Sequence, residues 1–411
     1  MPTGHGYKRQ HFVRLLISGG GTGGHVYPLL AVVAALKGAA PAQPAPGRAA
    51  APGSDPPTVR PEVAGLRLQV LYLGSRDSVE ERLAARAGVA FQAIDTGQLR
   101  GRGPWTVAKN LWLMRRGLTR SARLVRSFVP DVVFVTGGYV CAPVVVASRR
   151  LGHPVLIYLP DLTPGLAVRL LSRMANQVAV TYPETTPFFP GKAIVTGYPI
   201  RAALQRLSGR RVEARRALDL DPELKTLLVF GGSHGARSLN RALTGSLEAI
   251  LPACQVIHIS GQLDWPWVQE EQSRLPDALR VRYRPCAYLH DEMALALAAA
   301  DLVVSRSGAA TLGEYPALGL PSLLVPYPHA GRHQEANALY LSSRGAAQVM
   351  DDEALETDLL TSVLSLLGDD EKLRQMRERA LALAQPAAAQ RIGDALAALA
   401  QASVAEGTER G

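Results

Sequence analysis

Leu15-Leu-Ile-Ser-Gly-Gly-Gly-Thr-Gly-Gly-His-Val-Tyr-Pro28 decides how the rest of the chain is read. Residues 13–17 are mostly Leu or β-branched and predict a buried strand. After Ser18 come Gly19, Gly20, Gly21, Thr22, Gly23 and Gly24, a loop with almost no side chains. An apolar-periodic run over 29–36 then predicts a helix. Strand, glycine loop and helix is how α/β proteins bring backbone N–H groups to an anionic or polar ligand. His25 stands where the loop enters the helix and would face what the loop holds. Glycines 19, 21 and 24 also fit the dinucleotide fingerprint formally. The second strand, 68–73, ends in Gly74-Ser-Arg76 with no acid for a ribose, and Asp77 reads as a first-turn helix acid. No Gly-Lys-Ser/Thr follows the loop, which excludes a Walker motif.

The chain has 411 residues, 47% of them apolar, enough for two domains with full cores. Cys141, Cys254 and Cys286 are odd in number and widely spaced, which suggests a reducing compartment and no metal cluster. Lys8 and Arg9 precede an apolar run that Arg14 and the glycines interrupt too early for a signal peptide. No apolar run approaches the ~18 residues of a membrane span. Net charge is +10, unevenly spread: residues 1–196 hold 23 Lys/Arg and 9 Asp/Glu, the remainder 22 and 26. A basic half points to an anionic surface or partner, with membrane and nucleic acid as rivals.

Residues 1–12 read as a loose tail, and the Ala/Pro/Gly-rich segment 38–62 as a disordered insertion. Strands at 68–73, 89–94, 131–135, 154–158 and 177–180 alternate with helices at 78–87, 105–127, 142–151 and 164–173. A second series follows Thr196-Gly-Tyr-Pro199: strands at 226–230, 255–259, 279–283, 301–304 and 322–325 and an edge strand near 346–349. Its helices fall at 210–218, 238–251, 264–275, 290–299, 311–318, 333–343, 356–366 and 371–400. The alternation predicts two α/β domains, 13–196 and 197–370, each a doubly wound parallel sheet, facing across a cleft. Segment 371–411 would be a C-terminal helix packing back toward the first domain, and a tail.

Three further glycine-rich strand–helix junctions repeat the opening device: Val135-Thr-Gly-Gly-Tyr-Val140, Phe230-Gly-Gly-Ser-His-Gly-Ala-Arg-Ser-Leu-Asn240 and Ser305-Arg-Ser-Gly-Ala-Ala-Thr-Leu-Gly-Glu314. Helix-start N–H groups and Ser233 suit a diphosphate. Glu314 either closes a capping box with Thr311 or accepts two ribose hydroxyls.

Together these motifs, at these separations, resemble the MurG family over residues 13–385 apart from 38–62. The resemblance implies GT-B architecture and an inverting UDP-N-acetylglucosamine-dependent hexosyltransferase, with no cofactor and no essential metal. It implies peripheral attachment to the cytoplasmic face of the cell membrane. The implied partners are UDP-N-acetylglucosamine, the undecaprenyl-diphosphate muramoyl-pentapeptide (lipid I) and an anionic inner-membrane surface, with no nucleic acid; the product would be lipid II, for peptidoglycan synthesis. Carried over by motif, Thr22, Gly23 and Gly24 contact the donor, Arg201 and Ser233 the diphosphate, and Leu289 and His290 the uracil. Ala309, Ala310, Thr311, Leu312 and Gly313 form the nucleoside turn, with Glu314 on the ribose. His333, Gln334 and Asn337 lie near the donor sugar. Gly20, Gly21, Gly137, Gly138 and Tyr139 fall on the acceptor side. Three positions depart from the family pattern: Tyr158-Leu-Pro-Asp161 replaces His-Glu-Gln-Asn, His234 replaces a Gln, and His333 stands in a Gln-Gln pair. Asp161 thus stands where an asparagine normally touches the donor.

The acceptor's C4 hydroxyl needs a base, with His25 first and Asp161 second in line. The leaving diphosphate needs positive charge, from Arg201 and helix N-termini. Residues 100–126 hold eight Lys/Arg and no acid. At about 100° per residue, Val107, Leu111, Met114, Leu118 and Val125 form a core face. Lys109, Trp112, Arg116, Arg120 and Arg123 form the opposite face and, with Trp105, suit an anionic lipid surface. Competing readings are a GT-B enzyme for another lipid or natural-product acceptor, a UDP-sugar 2-epimerase, and a non-catalytic nucleotide-sugar-binding protein.

Overall fold

A computed structural model describes residues 12–20, 23–38, 67–95, 104–232, 235–328 and 333–409, with backbone only at 12, 67, 104–112 and 404–409. The expected tail and insertion therefore lie outside the described residues, except Phe12 and Gly38. So do Gly21, Thr22, Ser233 and His234, and the side chains of Trp105, Lys109 and Trp112.

Seven strands form the first sheet: β1 (Phe12–Ser18), β2 (Arg67–Gly74), β3 (Ala90–Ala93), β4 (Val132–Val135), β5 (Val155–Leu159), β6 (Gln177–Val180) and β7 (Ala193–Val195). Their order is β3-β2-β1-β4-β5-β6-β7, and every pairing is parallel. Six form the second: β8 (Thr226–Phe230), β9 (Gln255–Ile259), β10 (Tyr283–Cys286), β11 (Leu302–Ser305), β12 (Ser322–Leu324) and β13 (Ala347–Val349). Their order is β10-β9-β8-β11-β12-β13, again parallel. The two doubly wound sheets are those the sequence implied. Parallel strands covered on both faces are continuous apolar runs, and β4, β5 and β9 are buried at every residue. Strand order reverses between β1 and β4 and between β8 and β11. Ser18 is level with Val135, and Ser305 with Phe230. All four glycine loops leave the sheets at these two switch points, where α/β sheets bind ligands.

On one face of the first sheet, helices Pro104–Phe128, Cys141–Arg150 and Leu166–Leu171 bury Val125, Val144, Val168 and Leu171. On the other face, helix Gly23–Leu36 and the final helix Ala388–Glu409 share a core that includes Val26, Leu29, Ile392 and Leu396.

Several expected elements shift. β7 was not foreseen; it is three residues long and partly exposed at the sheet edge. The strand expected at 279–283 is β10, displaced because Pro276 opens a short helix over Asp277–Arg280. β10 tolerates Pro285 because it is an edge strand. The helix expected over 238–251 is two, Arg237–Thr244 and Leu247–Ile250, separated at Gly245-Ser246. The helix expected over 371–400 is also two, Asp370–Ala382 and Ala388–Glu409, interrupted around Pro386, which has no N–H and disfavours helix before it. Only the second of the pair reaches the helix Gly23–Leu36. Asp77 lies outside its helix with φ 55°, and Ser78 is the cap.

Candidate active site

The first-domain glycine loops touch each other. Gly138 has φ +86°, and a Cβ there would lie 2.9 Å from the Gly20 carbonyl oxygen, so only glycine fits without a shift. Around this contact, the Tyr72 hydroxyl donates to the Gly19 carbonyl at 2.6 Å, and Thr136 Oγ1 to the His25 carbonyl at 2.7 Å. These bonds fix the start of helix Gly23–Leu36. His25 is half-buried, and its Nδ1 has no hydrogen-bond partner among the described residues. Tyr139 packs partly buried against the first core.

Nothing in the sequence marked Glu80. It is 1% exposed, accepts from the Ser75 N–H at 3.2 Å, and its Oε1 lies 2.7 Å from where a Gly20 Cβ would be. The helix Val79–Arg86 turns it under the loop, on the same face as buried Ala84. It is a carboxylate held against the glycine loop, in a run that had read simply as a helix start.

In the second domain, Ala309–Leu312 is a 3-10 turn and Glu314 opens helix Glu314–Leu318. No capping box forms. Thr311 Oγ1 donates to the Gly308 carbonyl at 2.8 Å, and Glu314 Oε1 accepts from Arg201 Nη2 at 3.1 Å. Two residues that the family pattern gives to different parts of the donor, diphosphate and ribose, are thus paired with each other. The Arg201 guanidinium lies over the Tyr27 ring, 4.5 Å from its centroid, and burial together with nearby Tyr288 pushes the Tyr27 hydroxyl above its ordinary value. Burial pushes the Glu314 carboxyl above its ordinary value, with Arg201 opposing. A Cβ on Gly313 would collide with Tyr198, so the turn at 309–313 sits directly against the interdomain segment.

Asp161 and Asn337 meet across the domains. Fully buried Asn337 donates through Nδ2 to Asp161 Oδ1 at 2.9 Å and to the Ser307 carbonyl at 3.1 Å. Its Oδ1 accepts from the Leu162 N–H at 3.3 Å. Beside it, His333 Nδ1 lies 2.8 Å from Thr163 Oγ1 and 2.9 Å from the Thr163 carbonyl oxygen. Gln334 Oε1 accepts from the Tyr327 N–H at 2.9 Å. The departures at 161 and 333 thus fall on a polar seam joining the two sheets.

Leu289 is half-buried against the second core; His290 is exposed, its ring 4.6 Å from that of Tyr288. Gly235, with φ +76°, lies against the Ser260 carbonyl, to which Asn240 Nδ2 donates at 2.8 Å, as it does to Asp264 at 2.9 Å. Asn240 Oδ1 accepts from His258 Nε2, leaving Nδ1 to accept from the Tyr283 hydroxyl at 2.7 Å. Burial pushes His258 down to about 3, so it stays neutral and keeps this tautomer.

On helix Pro104–Phe128, Gly117, Ser121 and Val125 are buried and Leu118 packs on the core, while Met114 is half-buried. The basic face is not uniformly open. Arg116 pairs with Asp95 at 3.4 Å, and Arg120 donates to the Ala93 carbonyl at 2.7 Å. Arg115, Arg123 and Arg126 are exposed. The same layer carries an unforeseen surface: Leu166 and Leu170 are 75% and 52% exposed, beside Arg169, Arg173 and exposed Phe188. Among the described residues, no helix is long and apolar enough to cross a membrane and no group of acidic, His or Cys side chains could hold a metal.

Residues 59–180 match the glycosyltransferase family 28 N-terminal domain and residues 226–392 the family 28 C-terminal domain. Over 420 residues the chain is 40% identical to the UDP-N-acetylglucosamine–N-acetylmuramyl-(pentapeptide) pyrophosphoryl-undecaprenol N-acetylglucosamine transferase of Roseiflexus sp. (strain RS-1), covering 92% of this chain and 93% of that one. The transferase of the same name from Desulforudis audaxviator (strain MP104C) is 40% identical over 399 residues, 94% and 99% of the two chains. The crystal structure of MurG from Acinetobacter baumannii superposes with a TM-score of 0.67 at 26% identity, covering 93% of this chain and 99% of that one. The two sheets are therefore the two halves of a GT-B glycosyltransferase, and the chain belongs to the family of UDP-N-acetylglucosamine–N-acetylmuramyl-(pentapeptide) pyrophosphoryl-undecaprenol N-acetylglucosamine transferases.

Proposed function

We propose that the protein transfers N-acetylglucosamine from UDP-N-acetylglucosamine to the C4 hydroxyl of the muramoyl sugar of lipid I, with inversion, giving lipid II. The reading is supported most directly by the meeting of Arg201 and Glu314 with Tyr27 of the first glycine-loop helix. A cation, a carboxylate and an aromatic ring lie together between the two switch points, where a nucleoside diphosphate would have its charges and hydroxyls.

In this mechanism Glu314 releases Arg201 and takes the ribose hydroxyls. Arg201 turns to the diphosphate, where negative charge grows as the glycosidic bond breaks. N–H groups at the start of helix Arg237–Thr244 add fixed dipoles. His25, with an unpartnered ring nitrogen at the head of its helix, takes the proton of the C4 hydroxyl. Asp161 is committed to Asn337 through one oxygen and serves better to orient the sugar than to move a proton. Glu80 holds the acceptor-side loop in shape from beneath.

The acceptor is a lipid, so the enzyme must work at a membrane surface. Leu166, Leu170 and Phe188 with Arg169 and Arg173 would supply the apolar and basic contacts, aided by Arg115, Arg123 and Arg126. Labelled UDP-N-acetylglucosamine and a lipid I analogue test the reaction. Formation of the disaccharide lipid is the expected result. Release of UDP without acceptor glycosylation, or free N-acetylmannosamine, would refute it.

A further inference from the structure

Opposite the cleft, at the amino ends of β8 and β11, three arginines surround one carboxylate. Asp301 immediately precedes β11 and is mostly buried. Its Oδ2 is fully used, accepting from the Thr226 N–H at 2.8 Å and from Arg215 Nη2. Buried Arg215 is satisfied elsewhere too, donating to the Ala299 and Pro222 carbonyls at 3.1 and 2.8 Å. Only Oδ1 remains for the other two: Arg211 Nη1 is 3.2 Å away and Arg377 Nη2 is 3.9 Å away. The guanidiniums of Arg211 and Arg377 make no hydrogen bond among the described residues, and the Nε of each is buried without a partner. Their side chains are 28% and 29% exposed, so solvent reaches part of each side chain although each Nε is buried.

Three positive charges around one negative charge repel one another in a partly buried place. Burial, Arg377 and Arg215 push the Arg211 guanidinium down to about 10 against the pull of Asp301. Two unsatisfied planar forks side by side match the oxygens of a tetrahedral oxyanion, which each can grip with paired N–H groups. We infer that Arg211 and Arg377 form a binding site for a phosphate-class oxyanion, separate from the donor cleft. Arg211 shares a helix face with Arg215 one turn on, and Arg377 comes from helix Asp370–Ala382, so the anion would tie that helix to the second sheet.

The test uses the full chain with saturating UDP to occupy the cleft. Inorganic phosphate is titrated against chloride of equal ionic strength while the melting temperature is followed. A saturable rise of about 3 °C at ten times the dissociation constant is expected with phosphate. Arg211→Gln and Arg377→Gln should each weaken phosphate binding about tenfold or more and leave glycosyl transfer unchanged. Arg377→Lys, which keeps the charge and loses the fork, should weaken it about fivefold. A rise no larger than with chloride, or undiminished affinity in all three variants, overturns the site. Sedimentation with phosphatidylglycerol vesicles should be the same in the parent and the variants. Its loss in the variants would overturn a free oxyanion as the ligand and assign the forks to a lipid headgroup.

Discussion

Glu314→Gln puts the donor site to its most direct test. The carboxylate side chain is 8% exposed and its partner is Arg201 at 3.1 Å. In the proposed mechanism donor binding exchanges that partner for ribose hydroxyls. Hydrogen bonds to a charged acceptor contribute about 1.5–3 kcal/mol. Releasing a partly buried ion pair offsets about 1 kcal/mol of this. Glutamine preserves the shape but not the charge, so the net loss is about 1–2 kcal/mol, a 5- to 30-fold rise in donor KM. Because burial raises the Glu314 carboxyl above its ordinary value, donor affinity should fall on acidification sooner than an ordinary carboxylate would allow. The variant should lose that dependence. The sign for stability runs the other way. A carboxyl whose folded value lies above its unfolded value favours folding when protonated, and that contribution is lost as pH rises through the folded value. Near pH 7 the neutral variant should therefore melt no lower than the parent. Steady-state rates at varied UDP-N-acetylglucosamine, from about pH 5 to 8, measure the first effect, and thermal melting the second. An unchanged donor KM together with a lowered melting temperature would mean that Glu314 serves only to hold Arg201.

Four more outcomes are expected. His25→Ala should lower turnover at saturating substrates about 10²–10⁴-fold and remove the acidic limb of the pH–rate profile; a variant that keeps the limb is not missing the base. Asp161→Asn should keep that limb and most of the turnover, since an amide oxygen still accepts from Asn337. Asp161→Ala should destabilise by about 1–3 kcal/mol, measured by denaturant unfolding, because it strips a partner from a buried amide. Leu166→Asp with Leu170→Asp should abolish sedimentation with anionic liposomes yet preserve activity on a short-chain soluble acceptor; equal loss on both would place these leucines in the fold or the acceptor site instead.

The sheets were legible because their strands are apolar runs punctuated by glycine, a pattern that needs no partner to be recognised. The edges were not. β7 has three residues and little burial, and β10 hides behind Pro285, so neither carries the signal of a central strand. Pro386 was visible, but the Ala- and Leu-rich residues on both sides read as one helix. Motifs named the positions around the cleft without naming their partners. That Arg201 rests on Glu314, that Asn337 reaches Asp161, and that exposed Arg116 and Arg120 reach residues 93–95 are choices made by tertiary contact. Glu80 was invisible for the related reason that a first-turn glutamate has the same letter whether it faces water or a buried loop.

The helix Ala388–Glu409 belongs by position to the end of the chain and by packing to its beginning. Ile392 and Leu396 cover Val26, Leu29 and Val33 on the first helix. During synthesis, the first two hundred residues therefore leave the ribosome with one flank of their core bare, and it stays bare until residues 388–400 have been made. A fragment ending near residue 196 should be sticky and poorly folded, and adding a synthetic peptide of residues 388–403 should rescue its solubility. The order of translation thus makes the domain of the first sheet, begun first, the one completed last.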